Sequence, residues 1–177
     1  MALIISGKTT CKICNKRLCE QESIIAYPDV CYNENDPIYF FSGGIFHESC
    51  FMKADHSPIA MNILRMVDRE AEKKICYISK TPITIENVKH PDNHIYIGYL
   101  ISDRDAPLYK YNYIHVNKRY LDSWKGKNDF LHLLKAQSNL EGWSPLKLLI
   151  KRLESPLAPP LDPKIIERVN QYLERKK

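Results

Sequence analysis

Two short motifs near the start of the chain constrain its fold more than any other feature. Cys11 and Cys14 are separated by two residues, and His47 and Cys50, which follow after a gap of 32 residues, have the same spacing. Two side chains at this spacing can reach one ion from a single turn, and Zn²⁺ prefers four thiolate or imidazole ligands in a tetrahedron. The two pairs therefore predict one zinc site that joins two separate segments of the chain.

Protein side chains fill all four positions of this predicted site, and few other residues compete for them. A closed site leaves no position for water, so we expect one structural zinc per chain. Cys19 and Cys31 have no partner at the two-residue spacing, and we interpret them as small buried hydrophobic residues, although either could replace a ligand. His56 follows Cys50 by six residues and could also substitute for a ligand, but we expect it at the surface.

The segment around these ligands resembles a known class of zinc-binding module. The sequence CKICNK, followed later by FHESCF, is similar to the first zinc module of a LIM domain, which is a treble-clef zinc finger. The resemblance covers residues 11–52 and implies a turn, a β-hairpin and a helix that share the ion, with Cys50 in the first turn of that helix. The long gap between the pairs implies an insertion around residues 29–37. No second C-x-x-C motif follows, so the resemblance implies only half of a LIM-like unit.

The sequence predicts an α+β fold with a first domain at residues 1–74, formed by the zinc module and a helix that follows it. Strands are predicted at residues 23–27 and 38–41. Ser57 followed by Pro58 is a typical helix start, and apolar residues then recur at helical spacing to about residue 74. No internal repeat is evident in the sequence.

Residues 75–177 form a second predicted domain, a small α+β unit. Segments rich in Ile, Val and Tyr predict an antiparallel β-meander at residues 75–78, 83–88, 95–101 and 108–120. Helices are predicted after the meander, at residues 129–140 and after the starts Ser144-Pro145 and Asp162-Pro163. Cys76 lies in the first of these predicted strands, where we expect a buried and inert thiol.

The composition indicates a globular protein and argues against an extensively disordered or membrane-spanning chain. Hydrophobic residues make up 44% of the chain and charged residues 27%, which is typical of a globular protein. No apolar run exceeds five residues, far below the roughly 20 that a membrane span needs, and no secretion signal is evident. We therefore expect a soluble, cytoplasmic protein. The net charge of +5 divides into −2 over residues 1–60 and +7 over the remainder.

One basic and aromatic segment, residues 108–127, suggests an alternative function. Its tyrosines alternate, so a strand would place them on one face beside cationic side chains, an arrangement that binds single-stranded nucleic acid through stacking and phosphate contacts. The candidate contact residues are Tyr109, Tyr111, Tyr113, Lys118, Arg119 and Lys125. The competing interpretation, which we favour, is cross-strand packing of the tyrosines with a solvated basic rim.

Evidence for catalysis is weak in this sequence. It contains no P-loop, G-x-G-x-x-G, H-E-x-x-H or G-x-S-x-G motif. A metal-dependent nuclease built on a zinc finger would need further histidines close to the finger, and only His56 is available. His90 and His94 flank Pro-Asp-Asn, which predicts a turn rather than a ligand pair. We therefore expect a non-catalytic binding or adaptor protein that recognises a protein partner, with nucleic-acid binding as the alternative.

Overall fold

The structure is a computed structural model that describes residues 8–19, 21–138 and 144–174. Within these residues the chain forms two small antiparallel sheets and a set of mostly short helices. The strands are β1 (Ile24–Ala26), β2 (Ile45–His47), β3 (His94–Ile97) and β4 (Ile114–Asn117). The α-helices are α1 (Glu48–Met52), α2 (Ser57–Lys73), α3 (Ile85–Val88), α4 (Lys127–Gln137), α5 (Pro145–Glu154) and α6 (Pro163–Glu174).

The first sheet links the two predicted ligand pairs. β1 and β2 pair with Ile25 opposite Phe46, and α1 begins directly after β2, as expected for the segment that carries Cys50. Lys12 donates its backbone N–H to the carbonyl of Ile45 at 3.0 Å, which holds the N-terminal turn against β2. A cluster of buried apolar side chains lies beneath the hairpin, and the Tyr27 hydroxyl donates to the Ala60 carbonyl at 2.9 Å, which ties α2 to the same core.

The prediction of a strand at residues 38–41 is wrong. Pro37–Phe40 forms a 3₁₀-helix, and the Asp36 carboxylate accepts a hydrogen bond from the Ile38 N–H at its start. Proline has no N–H to donate to a sheet and is favoured in the first turn of a helix, and an Asp side chain caps that turn. β1 therefore pairs with residues 45–47 instead. The predicted helix after Ser57 is confirmed as α2, which ends where Lys74 adopts a left-handed backbone.

The predicted β-meander over residues 75–121 is also largely wrong. Only β3 and β4 pair as an antiparallel hairpin, with Ile95 opposite Val116. The residues predicted as a strand at 83–88 instead form α3, where the Thr84 and Asn87 side chains make a reciprocal capping box. Left-handed backbone at Tyr113 interrupts the strand predicted at residues 108–120, because extended strands require a negative φ.

The C-terminal helices follow the prediction more closely. The helix predicted at residues 129–140 is α4, which ends at Gln137; residues 139 and 140 lie outside the described residues. α5 begins after Ser144, whose hydroxyl accepts from the Lys147 N–H, and α6 begins at Pro163. α4 and α5 pack on β3 and β4 around a second apolar core. Among the helices of the described residues, none combines the length and the apolar character needed to cross a membrane.

Candidate metal centre

The four predicted ligands lie together in the folded chain. The sulfur atoms of Cys11, Cys14 and Cys50 and a ring nitrogen of His47 all lie within 4.8 Å of one another. Cys11 and Cys14 belong to the N-terminal turn, His47 ends β2 and Cys50 lies in the first turn of α1. The predicted convergence of the two pairs is therefore confirmed, and the cluster has the geometry to hold one metal ion.

The N-terminal turn directs backbone N–H groups at a cysteine sulfur. Cys11 donates its N–H to the Lys16 carbonyl at 2.9 Å, and Asn15 donates back to the Cys11 carbonyl at 2.8 Å. The turn closes because Asn15 adopts a left-handed backbone with φ 57°, which Asn tolerates better than most residues. Burial raises the pKa of the Cys11 thiol, but N–H groups of Cys14, His47 and Ile13 more than offset it and lower the pKa to about 6. Cys11 is thereby prepared to act as a thiolate ligand.

The imidazole of His47 is oriented with one nitrogen towards the sulfurs. Nδ1 lies 3.4 Å from the Cys14 sulfur and 3.8 Å from the Cys50 sulfur, whereas Nε2 lies 3.2 Å from Glu22 Oε2. Nδ1 is therefore the ligand atom that the fold presents. Burial lowers the pKa of His47, but hydrogen bonds to the sulfurs of Cys11 and Cys14 and the charge of Glu22 raise it overall. Burial and the neighbouring sulfurs raise the pKa of Cys50.

Glu22 is the residue of this site that the sequence analysis missed. Its carboxylate accepts from the Cys19 N–H at 3.0 Å as well as contacting the imidazole of His47. Ile24 pairs with His47 across the hairpin, so Glu22 reaches the ring only because of the strand register. A carboxylate on the outer nitrogen of a metal-binding histidine fixes the tautomer and orientation of the ring. The only signal in the sequence is an acidic residue just before a predicted strand.

The competing cysteines and His56 do not belong to the cluster. Cys31 is fully buried, as predicted, and burial raises its pKa to about 12. Cys19 was expected to be buried, but it is exposed. It lies between the first ligand pair and β1, where the Glu22 carboxylate accepts from its backbone N–H. His56 is exposed, as predicted, in the loop before α2.

The tyrosines of the predicted nucleic-acid strip do not share one face. Tyr109 and Tyr111 lie in a 3₁₀-helix, and Tyr111 is buried whereas Tyr109 is 37% exposed. Tyr113 is half-buried and has a left-handed backbone with φ 62°. The alternating pattern therefore reflects a turn and a short helix rather than a strand.

The cationic side chains of the same predicted strip are also dispersed. Lys118 is buried and donates to the Ser155 hydroxyl and the Pro156 carbonyl, both at 2.8 Å. Arg119 is exposed and donates to the Asn87 carbonyl, and Lys125 is exposed. Lys118 therefore binds the segment that connects α5 to α6 and is not free to contact a phosphate.

A partly buried pair of histidines elsewhere in the fold was not anticipated. The turn predicted between His90 and His94 is confirmed as a short 3₁₀-helix, and His94 then enters β3. There its Nε2 lies 2.8 Å from His115 Nδ1, and His115 Nε2 lies 3.0 Å from the Glu70 carbonyl. Burial, and next the neighbouring His115, lower the pKa of His94 to about 4. The pair is a neutral hydrogen-bonded link between β3, β4 and α2.

Comparison with known proteins gives no family assignment. No protein-family model, curated protein or solved structure matches this chain.

Proposed function

We propose that the Cys3His cluster binds one zinc ion and that residues 11–52 form a treble-clef-like module around it. The order of elements supports this assignment: a tight turn carries the first ligand pair, and the hairpin of β1 and β2 leads into α1, which carries Cys50. Three sulfurs and one imidazole are a donor set that zinc prefers over harder divalent cations. The single observation that carries the proposal is the convergence of these four side chains within 4.8 Å.

The role proposed for the ion is structural. Four protein ligands complete its tetrahedron, so no coordination position remains for water or substrate. Three thiolates and one neutral imidazole around Zn²⁺ carry a net charge of −1, and Lys16 and Arg17 line the same shallow cleft as the ligands. Glu22 holds the His47 ring so that Nδ1 faces the ion.

The function proposed for the whole chain is that of a non-catalytic binding or adaptor protein that recognises a protein partner. A groove of about 450 Å³ lies between α2 and the segment at residues 99–113. Ile59 and Met66 contribute apolar surface from α2, Tyr109 faces them, and Arg104 supplies a cation. The lining combines apolar and aromatic side chains with polar ones, among them Asn62, Ser102 and Asn112, a mixture found on surfaces that bind protein segments.

The alternative of nucleic-acid binding has less support. Tyr111 and Lys118 are buried, which leaves fewer exposed rings and cations than the sequence suggested. Phosphate contacts would make the affinity fall steeply with salt. Binding of a labelled single strand or duplex at low salt, lost on raising the salt, would replace the protein-partner proposal with this alternative.

Metal content tests the proposed zinc site directly. We expect the purified full chain to contain one zinc per molecule in native mass spectrometry and Cys11→Ser to lose it. Cys19→Ser is the matched control, because Cys19 lies in the same finger but outside the cluster. Wild-type protein without stoichiometric zinc, or Cys11→Ser with unchanged content, would refute the proposed site.

The proposed groove is tested by selection of peptides on the immobilised full chain. Ile59→Glu places a charge in the apolar wall, and we expect it to weaken binding of selected peptides at least tenfold. Leu157→Glu is the control, because Leu157 is similarly exposed but does not line the groove. Equal binding by both variants would show that the peptides bind elsewhere.

A further inference from the structure

The turn that carries the first ligand pair has a close counterpart later in the chain, at residues 74–83. In the first turn, the N–H groups of Cys11 and Asn15 bond to the carbonyls of Lys16 and Cys11. With residue numbers raised by 65, the same bonds recur: Cys76 N–H to Thr81 and Lys80 N–H to Cys76. The outer bonds match as well, namely Leu18 N–H to Thr9 and Ile83 N–H to Lys74. Asn15 and Lys80 share a left-handed backbone, with φ 57° and 59°.

The hairpins that follow the two turns also correspond, with residue numbers that differ by 70. In the first hairpin Ile25 is opposite Phe46, and in the second Ile95 is opposite Val116. Each turn docks on its hairpin through one bond of the same kind: Lys12 N–H to Ile45 in the first and Tyr77 N–H to His115 in the second. The two turns and the two hairpins are therefore assembled in the same way.

The segments enclosed by the equivalent pairs, residues 26–45 and 96–115, have equal length and share internal bonds. Ser42 Oγ accepts the N–H groups of residues 30 and 31, and Asn112 Oδ1 accepts those of residues 100 and 101. The next residues, Gly43 and Tyr113, both have left-handed backbone, with φ 65° and 62°. A tyrosine rarely adopts this conformation, and the equivalent glycine shows which backbone the loop requires.

The correspondence continues into the helices. β2 is followed by α1 and α2, and β4 is followed by the 3₁₀-helix Lys118–Ser123 and by α4. Linker bonds match at the same offset of 70: Ser57 N–H to Ala54 corresponds to Lys127 N–H to Trp124. Buried residues also correspond, in the pairs Leu18 and Ile83, Ile38 and Leu108, Phe41 and Tyr111, Phe46 and Val116, Phe51 and Leu121, and Ala60 and Phe130.

We infer that residues 74–137 are a second module with the fold of residues 9–73, and that this second module has lost its metal site. The four positions equivalent to the metal cluster are occupied by Cys76, Ser79, Asn117 and Tyr120. These four positions are defined by the ligands of the zinc site proposed above, so this part of the inference rests on that proposal. The bond pattern that relates the two modules is independent of whether that site holds zinc.

The second site retains its geometry around the one remaining sulfur. The Asn117 N–H donates to the Cys76 sulfur at 3.4 Å, as the N–H of His47 does to Cys11. The Ser79 hydroxyl also hydrogen-bonds Cys76. Serine, asparagine and tyrosine are poor zinc ligands at neutral pH, because zinc prefers thiolate, imidazole and carboxylate donors.

The side chain at the histidine position has acquired a different role. His47 and Asn117 both stand immediately before a short helix. The His47 ring caps nothing and turns towards the sulfurs, whereas Asn117 Oδ1 accepts the N–H of Arg119 and caps its helix. Asparagine is a favoured capping residue, so the change exchanges a metal ligand for a local hydrogen bond.

Apolar burial stabilises the second module, where only Cys76 among the four equivalent positions is a residue type that commonly binds zinc. The rings of Tyr77, Tyr111, Trp124 and Phe130 contact one another at centroid distances of 4.4–5.9 Å. α5 then buries Leu146, Leu149 and Leu153 against the same core. Burial of these apolar side chains offsets conformational entropy without a metal ion.

Restoring the ligands tests the inference. The triple variant Ser79→Cys, Asn117→His, Tyr120→Cys is made in the full chain, once with the first site intact and once with Cys11→Ser and Cys14→Ser. Co²⁺ titration reports thiolate coordination through its charge-transfer absorption. We expect the triple variant to bind one more Co²⁺ per chain than its parent in both backgrounds. If the wild type binds none but the triple variant binds one, the proposed zinc site fails while this inference stands.

A matched control places the same residue types nearby. Thr81→Cys, Arg119→His, Ser123→Cys adds two thiols and one imidazole to the same two segments at exposed positions, and we expect no additional tight Co²⁺ site. A folded triple variant that binds no more Co²⁺ than this control would overturn the inference.

A single substitution covers the case in which the triple variant does not fold. Tyr120→Cys changes a partly exposed side chain, and dibromobimane, which links thiols a few ångströms apart, should join residue 120 to Cys76. Ser123→Cys should not react in this way. Absence of the crosslink in folded Tyr120→Cys, measured by mass spectrometry, would equally overturn the inference.

Discussion

Glu22 Oε2 lies 3.2 Å from His47 Nε2, although the two residues are 25 positions apart along the chain. The contact leaves Nδ1 facing the sulfurs of Cys14 and Cys50. The carboxylate therefore decides which imidazole nitrogen faces the three sulfurs. A residue outside the four ligands thus contributes to the metal centre by orienting one of them.

Replacement of this carboxylate should weaken metal binding without abolishing it. Outer-shell partners of metal-binding histidines contribute about 10- to 100-fold to metal affinity, so we expect Glu22→Gln to lower zinc affinity within that range. Competition with a chromophoric chelator measures the change. Glu72→Gln, on the exposed surface of α2, should leave the affinity unchanged, and an equal loss in both variants would contradict the orienting role.

Removal of the metal should act unequally on the two halves of the chain. Apparent binding energies of structural zinc sites are about 10–16 kcal/mol, so a chelator should destabilise residues 10–52 strongly. The second core is built from apolar side chains and should keep its protection. Amide hydrogen exchange with and without chelator measures this difference, and uniform loss of protection across both halves would contradict the division into two modules.

The partly buried pair of His94 and His115 should make the fold sensitive to acid. The pKa of His94 falls from 6.5 to about 4 on folding because burial disfavours the imidazolium. The unfolded chain therefore takes up the proton first, and stability is lost as the pH falls from about 6.5 to about 4. We expect a loss of about 1–2 kcal/mol, less than the full linkage value because the ring is partly exposed.

The variant His94→Gln isolates this contribution. Urea unfolding of wild type and variant at about pH 7 and about pH 5 should show a smaller loss in the variant. Both proteins share the metal cluster, so its own pH dependence cancels in the comparison. His132→Gln, at an exposed position of α4, should behave as wild type. Parallel pH profiles for wild type and His94→Gln would disprove the assignment.

The second core should be sensitive to truncation on one face of α5 alone. Leu153 is 2% exposed and packs in this core, whereas Leu148 on the same helix is 49% exposed. Leu153→Ala should cost about 2–5 kcal/mol of unfolding free energy, as large-to-small core substitutions do. Leu148→Ala should cost well under half of that in the same denaturant titration, and similar losses would contradict the observed packing.

The four residues of the cluster could be predicted from the sequence because each ligand pair is identified by a spacing of two residues. A two-residue spacing between ligands fixes the turn that presents them, so Cys11 with Cys14 and His47 with Cys50 were recognisable as pairs. Helix starts at Ser57, Ser144 and Asp162 were predictable for the same reason, since capping residues and prolines act within one turn.

The strands were not predictable in this way. Residues 38–41 and 108–111 have the composition of strands, yet 3₁₀-helices occupy Pro37–Phe40 and Tyr109–Tyr111. β-Propensity reports how well side chains fit a half-buried surface, so it depends on neighbours that the local sequence does not contain. The Asp36 cap favours a helix at Pro37–Phe40, and the left-handed backbone of Tyr113 prevents a continuous strand at residues 108–120.

The similarity between the two halves could not be predicted from the sequence, because it lies in backbone hydrogen bonds and not in shared residues. Between residues 10–18 and 75–83 only one cysteine and one isoleucine are identical. Backbone hydrogen bonds do not depend on side-chain identity, and a buried site accepts any apolar side chain of suitable size. Two halves can therefore keep one bond pattern with almost no residues in common.

The sequence by itself thus determined the ligand pairs, the helix starts and the mixed helix-and-strand character of the chain, because short-range spacing and capping govern these features. Only the tertiary structure decided that Glu22 reaches His47, that the tyrosines of residues 108–113 do not share one face, and that the two halves have matching bonds. These features depend on strand register and on packing between distant segments, where each side chain takes its role from partners that the chain brings together only on folding.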